Sequence, residues 1–255
     1  MSLQSDPIPE QIQQVMHGSG EPAWKQYARL TVGAPSLGRL LKYECITGLF
    51  SAWPGAAGLA LRRMAYRSLL GGMGRGVTIG RNVTLRGAAR IRLGRQVALD
   101  DQVVLDARGP DASIEIGDGT LISRNTIIRA RNGRIVIGEG SDIGANCILA
   151  TNSRLEIGRD VLVAAFCYVT AGGHHKYDDP NTPIIRQGFI SKGGVVIQDD
   201  VWLGSHTIVL DGVQIGHGVV VGAHSLVNRN LDPMSIAWGI PARPRSVRGQ
   251  PNPTH

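Results

Sequence analysis

The residues best suited to chemistry lie in one short stretch, GGHHKYDDP, at residues 172–180. It holds two adjacent histidines, His174 and His175, followed closely by Asp178 and Asp179. An imidazole with its ordinary pKa of about 6.5 can accept a proton near neutral pH, provided that another group fixes its tautomer. We therefore expect a general base here, oriented by Asp178, by Asp179 or by a backbone carbonyl of the same stretch.

A six-residue repeat surrounds this stretch on both sides and must position it. The aliphatic residues that lead the repeat units are Ile79, Leu85, Ile91 or Leu93, Leu99, Leu105, Ile116, Ile122, Ile128, Ile137, Ile143, Leu149, Ile157, Val163, Val169, Ile197, Leu203, Val209, Ile215 and Val221. A period of six cannot be an α-helix, because the apolar position would wander around a cylinder of about 3.6 residues per turn. It fits a short strand followed by a tight corner, with three units closing one coil of roughly 18 residues and about seven coils stacked as parallel strands.

The repeat is interrupted between Ile157 and Ile197, an interval four residues longer than two coils. We therefore predict an extruded loop at about residues 172–190, near the fifth coil. The predicted organisation is an N-terminal arm and helical segment at residues 1–76, the repeats at 77–230 and a C-terminal tail at 231–255.

The composition favours a core made of many thin aliphatic layers and argues against a single large core, because the chain has 34 glycines and only 5% aromatic residues. The net charge is +7, but the arginines are scattered without interleaved aromatic residues, which favours a solvated surface over nucleic-acid binding. An anionic ligand or lipid remains open as the alternative. The cysteines Cys45, Cys147 and Cys167 have no CxxC spacing, and the N-terminus has no secretory signal pattern. We expect a reducing, cytoplasmic location, with the inner face of the membrane as a further option.

The N-terminal region divides into two parts. Residues 1 to about 30 are polar, and we expect a loose arm with a short helix at about residues 10–16. The stretch from Leu37 to Leu70 has no charged side chain between Glu44 and Arg62, which predicts two short helices around a turn at Trp53. These helices are expected either to cap the open end of the repeats or, through residues 38–70, to lie on a membrane interface.

The hexads IGEGSDIGANCI, IGRDVLVAAFCY and IQDDVWLGSHTIVLDGVQIGHGVVVGAHSL, with the closing segment WGIPARPRSVRG, resemble the hexapeptide-repeat acyltransferases. The closing segment is similar to the maltose and galactoside O-acetyltransferase branch and to related polysaccharide O-acetyltransferases. The resemblance covers about residues 77–247. It implies an all-β fold, a left-handed parallel β-helix assembled as a homotrimer, to which the N-terminal helical segment is added. It also implies acetyl-CoA as co-substrate, no metal, and acetyl transfer to a sugar hydroxyl in surface polysaccharide or lipopolysaccharide biosynthesis.

The same resemblance assigns roles to particular residues. His174 is the expected base, with His175 as its rival, and the expected oxyanion donors are backbone N–H groups at Gly204 and Ser205. Acceptor binding is expected from Asn146, Asn152 and Asp178, although Asn152 stands where the related enzymes carry an acid. The residues expected to bind acetyl-CoA are Trp202, Gly204, Ser205 and Ala223, with Arg229, Arg243 and Arg245 as candidates for its phosphates.

Three other functions remain open from the sequence. The same residues could acetylate an antibiotic or an amino sugar, on nitrogen or oxygen, or the chain could be a non-catalytic β-helix scaffold. A metal-dependent hydratase would need three imidazoles converging on zinc. The candidates His206, His217 and His224 are separated by 11 and 7 residues, which are not whole coils, so we expect them to point from different corners.

Overall fold

The computed structural model describes residues 20–109 and 111–250. Within them three helices come first: α1 (Ala23–Val32), α2 (Leu37–Phe50) and α3 (Gly55–Tyr66). The Ser36 side chain accepts the Arg39 N–H and begins α2, while Gly33, at φ 75°, ends α1. The predicted helix pair around Trp53 is confirmed.

Helix α1 corrects the expectation of a loose arm extending to about residue 30. Its polar sequence gives a weak signal, and the helix is held by packing of Ala28 and Thr31, which are fully buried. The short helix predicted at residues 10–16 lies outside the described residues.

The strands form three sheets, which we call face 1, face 2 and face 3, and the chain visits them in that order. Face 1 contains β1 (Gly72–Met73), β4 (Ile91–Leu93), β7 (Ser113–Ile116), β10 (Arg134–Ile137), β13 (Arg154–Ile157), β18 (Val195–Ile197) and β21 (Gln214–Ile215). Face 2 contains β2 (Thr78–Ile79), β5 (Ala98–Leu99), β8 (Leu121–Ile122), β11 (Asp142–Ile143), β14 (Leu162–Val163), β19 (Trp202–Leu203), β22 (Val220–Val221), β24 (Ser235–Gly239) and β25 (Ala242–Val247). Face 3 contains β3 (Thr84–Arg86), β6 (Val104–Ala107), β9 (Ile127–Ala130), β12 (Ile148–Thr151), β15 (Tyr168–Ala171), β20 (Ile208–Val209) and β23 (Leu226–Val227).

Neighbouring strands on each face are parallel, apart from β25, which pairs antiparallel with β24. Outside the faces, β16 (His174–His175) and β17 (Phe189–Ile190) form an antiparallel hairpin, and short 3-10 helices span Ala88–Arg90 and Ile184–Arg186. The described chain is therefore a three-sided parallel β-helix of seven coils preceded by helices, which confirms the predicted fold class.

The aliphatic lead positions of the repeat all point into the coil. Every one of them is at most 4% exposed. The earlier coils are longer than the expected 18 residues, since Ile79 pairs with Leu99, 20 residues on. Between the sixth and seventh coils the spacing is 18 on all three faces, as in the pairing of Leu203 with Val221. The extra residues lie in the corners, where the chain can bulge without disturbing the inward side chains.

Strand pairing also corrects the count around the interruption. Ile157 pairs directly with Ile197, so this interval is one coil plus a loop, not two coils plus four residues. The loop occupies residues 172–194, between the end of β15 and the start of β18. It leaves the fifth coil, as expected.

The two ends of the β-helix differ from the expected boundaries. Strand β1 begins at Gly72, ahead of residue 77. At the other end β24 continues face 2 by pairing with β22, and β25 folds back on it, so residues 235–247 are part of the sheet. The turn between β24 and β25 contains the cis peptide bond of Ile240 and Pro241.

The helices cover the first coil and are fixed to it by polar contacts. Buried Arg62 donates from Nε to the Ile79 carbonyl at 2.8 Å and from Nη1 to the Trp53 carbonyl at 2.6 Å. The Asn82 N–H donates to the Ser51 carbonyl at 2.9 Å, and Tyr66 joins the hydrophobic core. The helical segment therefore closes the open end of the repeats.

Candidate active site

The loop at residues 172–194 leaves the β-helix at the corner between face 3 and face 1 and rejoins it there. We call this corner 3–1. Gly173, at φ 78°, opens the loop, and a Cβ there would lie 2.2 Å from the Ile190 carbonyl oxygen, so the position requires glycine. Beyond it β16 pairs with β17, placing His174 opposite Ile190 and His175 opposite Phe189. The predicted histidines therefore sit on the stem of the loop.

The two histidines have different surroundings, because neighbouring residues of a strand point to opposite sides. The His175 ring packs on Phe189, with centroids 4.0 Å apart. The aromatic ring near His174 is that of Tyr177, at 6.2 Å, and both histidines are exposed. Among the described residues neither imidazole has a hydrogen bond or ion pair. His174 thus has the freer ring, and His175 is part of the packing of the hairpin.

The acids of the loop do not contact the imidazoles. The Asp179 carboxylate accepts the Thr182 hydroxyl at 2.6 Å and the Asn181 N–H at 2.8 Å. These bonds, first that from Thr182, hold the pKa of Asp179 below its ordinary value. Asp178 is exposed and has no partner within the described chain. Asp179 therefore shapes a turn of the loop, and the structure brings neither acid against His174.

Asp211 is a functional candidate that the sequence did not single out. It is 9% exposed, and its carboxylate accepts the backbone N–H groups of Lys192 and Gly194, the latter at 2.9 Å. The Gly212 N–H donates in turn to the Gly194 carbonyl at 2.7 Å. Asp211 therefore fixes the returning end of the loop to the next coil.

The two asparagines expected to bind the acceptor lie on different corners. Asn152 is at corner 3–1, and its Nδ2 donates to the Gly172 carbonyl at 3.4 Å, directly beneath the loop. Asn146 lies at the corner between face 2 and face 3, which we call corner 2–3, with φ 57°. Within one chain Asn152 therefore lies beside the loop and Asn146 does not, because six residues carry the chain from one corner to the next.

Most of the residues expected to bind acetyl-CoA share face 2 and corner 2–3. Trp202 is half-exposed on face 2, and the corner follows at Gly204 and Ser205. Ala223 is the neighbour of Gly204 on the next coil, since a Cβ on Gly204 would lie 2.6 Å from the Ala223 nitrogen. The N–H of Ser205 has no acceptor within the described residues, so it is available to a ligand.

The candidate arginines are divided between two places. Arg243 lies on β25 opposite Trp238, at the end of face 2, and the Arg245 guanidinium lies 5.9 Å from the centre of the Trp238 ring. Arg229 is exposed in the segment that follows face 3 on the last coil. The structure therefore groups Arg243 and Arg245 with face 2 and leaves Arg229 apart from them.

Corner 2–3 also carries an aromatic column that the sequence did not predict. Phe166 stacks on His206 with centroids 4.9 Å apart, and His206 stacks on His224 at 4.6 Å. The expectation that His206 and His224 point from different corners is wrong, because they are one 18-residue coil apart. In the described part of the chain, no three His, Cys, Asp or Glu side chains are grouped so as to hold a metal.

Exposed apolar side chains continue from Phe166 of this column onto the strands on both sides. We call them the apolar ridge; each is between 38 and 51% exposed, and its members are Leu162, Phe166, Tyr168, Trp202 and Ile208. The ridge covers face 2, corner 2–3 and the adjoining edge of face 3. An exposed apolar surface of this kind is typical of an interaction site.

The loop and the Ser205 corner stand at opposite edges of face 3. The segment between the two corners is about five residues long, which corresponds to roughly 15 Å. A single chain therefore presents two half-sites, one with His174 and Asn152 and the other with Trp202, Ser205 and Ala223.

Comparison with known proteins also identifies the hexapeptide repeat. Residues 194–229 match the family model for the bacterial transferase hexapeptide (six repeats). A Mycobacterium tuberculosis protein named as an acetyltransferase is 38% identical over 132 residues, covering 52% of this chain and 43% of the relative. An Escherichia coli protein assigned to lipopolysaccharide biosynthesis as an O-acetyl transferase is 37% identical over 100 residues, covering 37% and 51%. The galactoside O-acetyltransferase of Escherichia coli is 29% identical over 109 residues, covering 43% and 52%.

The chain spans about half the length of the curated relatives it matches. Among solved structures, the polysialic-acid-specific acetyltransferase NeuO matches with a TM-score of 0.53 at 18% identity, over 72% of this chain and 87% of that one. These matches confirm the fold and the resemblance to the hexapeptide-repeat acyltransferases.

Proposed function

We propose that the protein transfers an acetyl group from acetyl-CoA to a sugar hydroxyl in surface polysaccharide or lipopolysaccharide biosynthesis, with His174 as general base. The observation that carries the proposal is the loop at corner 3–1, which holds an exposed imidazole above Asn152 on a hexapeptide β-helix. The relatives named as acetyltransferases, among them an O-acetyl transferase assigned to lipopolysaccharide biosynthesis, support the reaction class.

The reaction needs a base and an oxyanion donor. Nε2 of neutral His174 takes the proton of the sugar hydroxyl as its oxygen attacks the thioester carbonyl carbon, forming the new C–O bond. The negative oxygen of the tetrahedral intermediate is stabilised by the free Ser205 N–H. When the intermediate collapses, the C–S bond breaks and the thiolate of CoA receives the proton from His174.

Assembly of the two half-sites requires a second copy of the chain. Because His174 and Ser205 of one chain lie at opposite edges of face 3, the loop of one chain must meet corner 2–3 of another. The apolar ridge surrounds that corner and offers the surface that such contact would bury. The proposed homotrimer provides three equivalent contacts of this kind.

A second acceptor class deserves the same test. The chloramphenicol acetyltransferase of Klebsiella aerogenes is 31% identical over 103 residues, covering 32% of this chain and 49% of the relative. An antibiotic or amino-sugar acceptor would use the same two half-sites, so the acceptor panel must include chloramphenicol and amino sugars beside neutral sugars.

The test is release of free CoA thiol from acetyl-CoA with this panel. His174→Ala should lower kcat by about 10² to 10⁴-fold, the usual contribution of a general base. His175→Phe is the matched variant, because it keeps a ring against Phe189, and it should retain most of the activity. Full activity in His174→Ala, or equal losses in both variants, would rule out His174 as the base.

We also propose that the helical segment contacts a membrane surface peripherally. The side chains of Leu37, Leu41 and Leu49 follow one face of α2 at helical spacing, opposite buried Leu40 and Tyr43. A helix that is apolar on both faces needs a second partner besides the β-helix. Exposure of these outward side chains is 52 to 62%.

Charge supports a lipid surface as that partner. Residues 20–76 contain eight basic and two acidic side chains, and so carry +6 of the net charge of +7. Basic residues beside exposed leucines are typical of helices that lie on anionic lipid. In the part of the chain that the structure describes, no helix has the length and hydropathy needed to cross a bilayer.

Vesicle flotation tests the membrane contact with the full chain. The protein should float with vesicles that contain phosphatidylglycerol and should do so less with pure phosphatidylcholine. Leu41→Asp should abolish flotation, whereas Met234→Asp, which adds the same charge at the far end of the β-helix, should not. Equal flotation of the two variants would exclude the α2 surface.

A further inference from the structure

A group of arginines lies on the same edge as the loop, on the side of the helical segment. At corner 3–1 successive coils carry Arg108, Arg131, Asn152 and Gly172, and the Arg131 N–H donates to the Thr151 carbonyl of the coil above. On face 3, Arg129 occupies the outward position beside this corner. Arg129 and Arg131 therefore lie two coils from the point where the loop begins.

Charge is not balanced within this group. Arg108 donates to both oxygens of Asp106, at 2.7 and 2.6 Å, and so occupies that buried carboxylate. Arg86 is bonded to the Thr31 hydroxyl at 3.1 Å. Within the described residues, the side chains of Arg129 and Arg131 have neither an ion pair nor a hydrogen bond.

The surroundings of Arg131 make its unpaired positive charge energetically more unfavourable. Its side chain is partly buried, and burial followed by the neighbouring charges of Arg129 and Arg108 lowers its pKa. Two cations close together and partly removed from water are stabilised by a bound anion.

Arginines on the opposite side of the β-helix are arranged differently. On face 1 Arg134 is paired with Glu115 at 3.3 Å and Arg154 with Glu156 at 2.6 Å. At the corner between face 1 and face 2, Arg159 is paired with Asp199 at 3.1 Å. These three arginines therefore have acidic partners, whereas Arg129 and Arg131, near the edge that carries His174, have none.

We infer that Arg129 and Arg131 bind a phosphate group of the acceptor, so that the substrate is a phosphorylated sugar. This inference rests on the proposed transfer to a sugar hydroxyl. Guanidinium groups bind phosphate oxygens through paired hydrogen bonds, and two adjacent ones suit a phosphate or diphosphate. The phosphate can come from a nucleotide or from a lipid carrier.

The spacing between the arginines and the loop fits a sugar between them. Two coils correspond to a rise of about 10 Å, part of which the long arginine side chains cover. The positions in between, in register with Arg129, are the small residues Ala150, which is 8% exposed, and Thr170. A sugar phosphate with its phosphate on Arg129 and Arg131 would therefore extend along face 3 toward His174.

Calorimetric titration of the free protein tests the site without turnover. The probes are the 1-phosphates of glucose, galactose and mannose and the three parent sugars. At least one 1-phosphate should bind about tenfold or more tightly than its parent. Arg129→Ala/Arg131→Ala should abolish that preference, and Arg134→Ala, which removes a charge on face 1 of the next coil, should preserve it. A preference that survives the double substitution, or no preference in the wild type, would overturn the inference.

The thiol-release assay separates this site from the others. The double variant should raise KM for the phosphorylated acceptor and leave KM for acetyl-CoA unchanged; the reverse pattern would assign the arginines to CoA and overturn the inference. UDP-glucose and a polyprenyl-phosphate glucose in phosphatidylcholine vesicles distinguish a nucleotide from a lipid carrier. Phosphate-dependent binding without any thiol release would refute the proposed function and leave the anion site standing.

Discussion

Face 1 and the apolar ridge are built from the same repeat and differ in the residues that point outward. Inside, Ile135 on face 1 and Leu149 on face 3 are both fully buried. Outside, face 1 carries ion pairs such as that between Arg134 and Glu115, whereas the ridge exposes aromatic and aliphatic side chains. The inward residues are dictated by the fold, and the outward residues by what each face meets. Face 1 suits water, and the ridge suits another protein surface.

The largest expected effect comes from placing a charge on the ridge. Ile208→Arg should yield monomers and lower acetyl transfer by more than about 100-fold, because an unpaired charge buried in an interface costs several kcal/mol. Val196→Arg adds the same charge on face 1 of the same coil, between Glu156 and Gln214. It should change neither the oligomeric state nor the rate of acetyl transfer. Light scattering after size exclusion measures the assembly. An unchanged oligomer in Ile208→Arg would show that the ridge is not the contact surface.

Substitutions of inward-facing residues should destabilise the protein equally on face 1 and on face 3. Ile135→Ala and Leu149→Ala each remove a fully buried aliphatic side chain of the fourth coil and should cost about 3 kcal/mol in free energy of unfolding. Urea unfolding at one fixed protein concentration gives both values. A much smaller cost at Leu149 would mean that the faces are not equivalent inside.

A smaller effect is expected from the carboxylates that fix corners. Asp211→Ala removes the acceptor for Lys192 and Gly194, and the looser loop should lower kcat/KM about tenfold. Asp199 is the matched residue, since it accepts the Arg159 N–H at 2.8 Å on the far side, and this bond keeps the pKa of Asp199 below its ordinary value. Asp199→Ala should leave kcat/KM within about twofold. Equal losses would mean that Asp211 acts only through stability.

The repeat could be predicted from sequence because its lead positions face a core that only aliphatic side chains fill. The helix pair around Trp53 was visible for a related reason, since an uncharged stretch broken by Pro54 and Gly55 leaves few alternatives. The loop was placed correctly from the point where the hexads stop. Each of these features rests on local pattern.

The features that could not be predicted depend on which residues of neighbouring coils lie next to each other. Counting in units of 18 turned the interval from Ile157 to Ile197 into two coils, although strand pairing makes it one. Asn146 and Asn152 are six residues apart, a spacing that already places them on successive corners. Asp211 looked like any turn residue, because its partners Lys192 and Gly194 approach it only after the loop has returned.

The central claim is that the site forms between the loop of one chain and corner 2–3 of another, and mixing two inactive variants tests it most directly. His174→Ala removes the base, and Ala223→Arg blocks the other half-site at an exposed position. When the two are denatured together and refolded at equal amounts, about a quarter of the sites in random trimers should combine an intact loop with an intact corner. Thiol release should therefore recover to about a quarter of the wild-type rate. No recovery from a properly assembled mixture would place both half-sites in one chain and contradict the account.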